Sequence, residues 1–103
     1  MSFKNELLEL KRQTLIAQRK EVQEIVENLF RENKDNFEDR MKMSAKSGYS
    51  GSAYLIPPEK LENHPPIVRK RITEQLCVLL DKEYPGINFE AYSQGEISIK
   101  WEE

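Results

Sequence analysis

The stretch SFKNELLELKRQTLIAQRKEVQEIVENLFRENKDNFEDRMKM, residues 2–43, decides how the rest of this 103-residue chain is read. It holds no Gly and no Pro, and Glu, Lys, Leu, Arg and Gln dominate it. Those side chains lose little rotamer freedom in a helix. The stretch therefore predicts one long, highly charged helix with Ser2 as its N-cap. Leu8, Leu15, Val22 and Leu29 recur every seven residues, and Leu15, Val26 and Phe37 every eleven, as do Phe30 and Met41. An eleven-residue step returns to nearly the same helical face, so one apolar stripe can cross the polar patch Arg31–Asn36. Asn33, Asp35 and Asn36 are weak helix formers, and Asp35 with Glu38 can make a capping box, so a break, if present, belongs there. As a coiled coil the stripe is half complete. With Leu8, Leu15, Val22 and Leu29 at a, the d positions are Lys4, Lys11, Gln18, Ile25 and Glu32.

Length creates a mismatch. A helix of about 40 residues is about 60 Å long, whereas the remaining ~60 residues make a globule only about 25–30 Å across. Val22–Met41 is then core material, and the first half of the helix extends past its own domain. That half still carries Phe3, Leu7, Leu8, Leu10, Leu15 and Ile16. An exposed apolar cluster of that kind implies a partner, and a homo-oligomer, first of all a dimer, is the simplest one.

Beyond the helix, Ser44–Ser52 supplies Gly48 and Gly51, which permit positive φ, and serines that compete with helix for backbone bonds. Residues 1–47 are thus read as the helical arm, and 48–103 as a small α+β unit packed on its second half, within a single domain. Ser52–Ile56 reads as a strand ended by Pro57-Pro58. Pro58–Asn63 can form one helical turn. Pro65-Pro66 opens a second helix over about Pro66–Glu83, with Val68, Ile72, Leu76, Leu79 and Leu80 on one face. Tyr84-Pro85-Gly86 stops it. Ile87/Phe89/Ala91 and Ile97/Ile99/Trp101 are two alternating runs joined by the turn Ser93–Glu96. The expected fold is α+β in the order α-β-α-β-β, with both helices on one face of a small antiparallel or mixed sheet.

Chemistry is sparse. The chain has one His, His64, and one Cys, Cys77, which cannot meet the ligand count of a zinc site or form an internal disulfide. No GxSxG, HExxH, GxGxxG or phosphate-loop motif is present. No catalytic residue, metal or cofactor is expected, and Cys77 reads as a small packed hydrophobe. A formal charge of −2 gives no basic excess for nucleic acid or an anionic membrane. No apolar run of the roughly 18–20 residues that span a bilayer occurs, and MSFKNELLELKRQ has no signal-peptide pattern. A soluble protein of the cytoplasm is expected.

Two further surfaces carry some chemistry. Arg40, Lys42 and Lys46 with Gly48, Tyr49 and Gly51 have the ingredients of a small-anion or nucleotide site, although GYSG follows a helix and lacks the phosphate-loop pattern. Arg69-Lys70-Arg71 is a basic triplet of the kind that touches nucleic acid, diluted by Glu59, Glu62 and Glu74.

The layout resembles a loose class of small phage- and prophage-encoded proteins. The residues that carry the resemblance are Ile56-Pro57, Tyr84-Pro85-Gly86 and Ile97-Ser-Ile-Lys-Trp101. The resemblance covers most of the chain and transfers no functional residue. It implies an accessory protein that oligomerises and binds or inhibits a host or viral protein complex, in the host cytoplasm.

Overall fold

The structure, a computed structural model, describes residues 2–101. Met1, Glu102 and Glu103, which the sequence reading assigns to the two ends of the domain, lie outside the described residues. Helix α1 runs unbroken over Phe3–Lys46, and Ser2, in the extended region, caps it by accepting from the Asn5 N–H. The polar patch does not break the helix. Asn33 turns its side-chain amide back onto the Leu29 carbonyl (2.9 Å), and Phe37 and Met41 beyond it are buried. The packing gained on the far side outweighs the weak propensity of the patch.

After a tight turn come strand β1 (Gly51–Leu55), a 3-10 turn (Pro58–Lys60), helix α2 (Pro66–Glu83) and strands β2 (Asn88–Ser93) and β3 (Glu96–Lys100). The fold is α+β in the expected order. All strand pairs are antiparallel, and the sheet order is β1-β3-β2, with β3 in the centre. The inward residues Tyr54, Phe89, Ile97 and Ile99 meet Val22, Val26, Leu29, Phe37 and Met41 of α1 and Val68, Ile72, Leu76, Cys77 and Leu80 of α2 in one core. Ile56 and Leu61 close it from the β1–α2 connection. The Phe37 and Tyr54 rings pack against each other at a tilt of 59°, with centroids 4.2 Å apart.

Several local expectations need correction. Ala91 is exposed, because a register irregularity between Ala91 and Ser93 takes this end of β2 away from the core. Leu79 is half-buried against the core, and Thr73, which the apolar pattern omits, is fully buried on the same helix. Thr73 Oγ1 donates to the Arg69 carbonyl (2.9 Å) and accepts from the Gly95 N–H (2.8 Å), so this buried hydroxyl is satisfied and ties the β2–β3 turn to α2. Gly51 belongs to β1, where it lacks room for a side chain: a Cβ there would sit 2.8 Å from the Ile99 carbonyl oxygen.

Candidate interaction surface

Side-chain bonds between the helices show how they lie. Arg71, in the second turn of α2, donates to Gln18 Oε1 (2.8 Å), and Tyr84, just past its end, donates to Glu38 Oε2 (3.1 Å). The helices therefore run in the same direction, and α2 begins beside Gln18. Phe3–Ala17, roughly 22 Å of helix at 1.5 Å per residue, projects ahead of it. The molecule measures 63 × 27 × 20 Å, a body with a rod extending from one end.

The structure divides the six expected interface residues. Leu8 and Leu15 continue the stripe that becomes Val22, Val26 and Leu29, and Leu15 is already half-buried beside α2. It stands at the mouth of a furrow of about 750 Å³ between the helices, floored by Val22, Val26 and Leu79 and rimmed by Arg19, Glu27 and Lys82. The seven-residue repeat is thus intramolecular from Leu15 onward, while Leu8 is 49% exposed. Phe3, Leu7 and Leu10 lie on a different side and are 72%, 51% and 60% exposed. Ile16 is exposed apart from both groups.

Phe3, Leu7 and Leu10 continue as Thr14 and Ala17, spaced four, three, four and three residues apart. That is the a/d spacing of a coiled-coil seam over two heptads. All five residues are exposed. In the next heptad the seam positions become Glu21 and Glu24, which are exposed as well; His64 Nδ1 lies 3.8 Å from Glu21 Oε1, and Lys60 Nζ 3.6 Å from Glu32 Oε2. Sequence reasoning tested only the register set by Leu8. The signal was present, but it needs Thr14 and Ala17 to be counted as seam residues, which only their place on the unpartnered side justifies.

The glycine-rich turn is poorly arranged for an anion. Its N–H groups return to the end of α1: Gly48 to the Ala45 carbonyl, Tyr49 to Ser44, Ser47 to Met43. Those carbonyls form the negative end of the helix dipole, which repels an anion. Arg40 donates to the Ala53 carbonyl (3.2 Å) and so braces β1, while Lys42, Lys46 and Tyr49 are exposed. The basic triplet is spread around α2. Arg69 donates to the carbonyls of His64 (2.7 Å) and Glu62 (3.2 Å), Lys70 lies 3.9 Å from Glu74, and Arg71 holds Gln18. Burial, with Asp81, Glu74 and Glu90 nearby, pushes the Cys77 thiol up to about 11, away from the thiolate a nucleophile needs.

Among the described residues, no helix is long and apolar enough to cross a membrane. No protein-family model matches the chain, and no curated protein or solved structure shows significant similarity to it.

Proposed function

We propose that this chain is a non-enzymatic protein-interaction module that self-associates through the projecting arm of α1. The observation that carries the reading is the exposure of Phe3, Leu7 and Leu10 in a row on a helix that outruns its own fold. Burying a Leu or Phe side chain stabilises by about 1.5–3 kcal/mol. A helical segment of roughly 15 residues is marginal in water without packing. The arm therefore gains both apolar burial and helical order from a protein partner. An accessory role of the phage type, in which the assembled protein binds or inhibits a host or viral complex in the cytoplasm, belongs to the same proposal and is supported by the resemblance of layout alone.

Sedimentation velocity over a concentration series, on the unsubstituted chain and on a Leu7→Glu/Leu10→Glu variant, tests the reading. A reversible dimer that the double substitution abolishes, with the melting temperature of the body unchanged, is the expected result. A chain that stays monomeric throughout would remove the self-association.

A further inference from the structure

We draw no further inference here: the strongest candidate, the furrow between α1 and α2, is floored by Val22 and Val26 that the chain's own core already buries and rimmed by Arg19, Glu27 and Lys82 of both signs, and nothing in the structure shows what covers it.

Discussion

Arg71 donates to Gln18 Oε1 across 2.8 Å, and this bond marks where α1 stops belonging to its own fold. On one side of it Val22, Val26 and Leu29 are buried against α2 and the sheet, and on the other Phe3, Leu7 and Leu10 face solvent. One continuous helix thus combines two functions: a core element and a projecting arm.

Core stability should depend on the Phe37–Tyr54 pair in opposite senses. Phe37 is fully buried, so Phe37→Ala is expected to cost about 3–5 kcal/mol. That is a large share of a typical domain stability of about 5–15 kcal/mol. Among the described residues the buried Tyr54 hydroxyl has no hydrogen-bond partner, and burial raises its pKa. Tyr54→Phe removes an unsatisfied polar atom and should be neutral or stabilising. Urea melts of the two variants compare them directly.

The β2–β3 turn should be sensitive at Thr73 and Gly95. Thr73→Val keeps the shape but leaves the buried Gly95 N–H without its acceptor, which should cost about 1–3 kcal/mol. Gly95 has φ +86°, and an added Cβ would sit 2.6 Å from Leu61 Cδ1. Gly95→Ala should therefore cost about 1–3 kcal/mol from backbone strain, before any repacking of Leu61. Thermal denaturation of both variants is the measurement.

Alkaline pH should weaken the fold in two stages. The Cys77 thiol is raised from 9.0 to about 11, chiefly by burial. Tyr84 is raised from 10.0 to about 12, first by burial and then by its hydrogen bond to Glu38. Both groups hold their protons more tightly when folded, so their contribution is complete below the unfolded values and is lost as pH rises through the folded ones. The melting temperature should fall from about pH 9 upward, and Tyr84→Phe should flatten the part of the fall above pH 10.

Much of this architecture was legible because single letters carried it. Ser2, the Gly- and Pro-free run, Pro65-Pro66 and Tyr84-Pro85-Gly86 each act through local backbone chemistry, and each stands at an element boundary. The sequence pattern misplaces Ala91 and is silent on Thr73 because tertiary contacts decide both: a polar residue is core through the Gly95 bond, and an alanine beside a strand irregularity is exposed. The arm's excess apolar surface followed from length alone. Which of its residues the fold takes up did not, since only the placement of α2 beside Gln18 half-buries Leu15 and leaves Phe3, Leu7, Leu8 and Leu10 exposed.

If the proposed self-association holds, pairing adds order to the arm while the body is held by its own core. Amide hydrogen exchange, followed on peptides from residues 3–17 and from α2 across micromolar to millimolar chain concentrations, tests it most directly. Protection of the arm should rise with concentration while that of Pro66–Glu83 stays constant, and Leu10→Glu should abolish the rise. Arm protection that is independent of concentration, and unchanged by Leu10→Glu, would contradict the account.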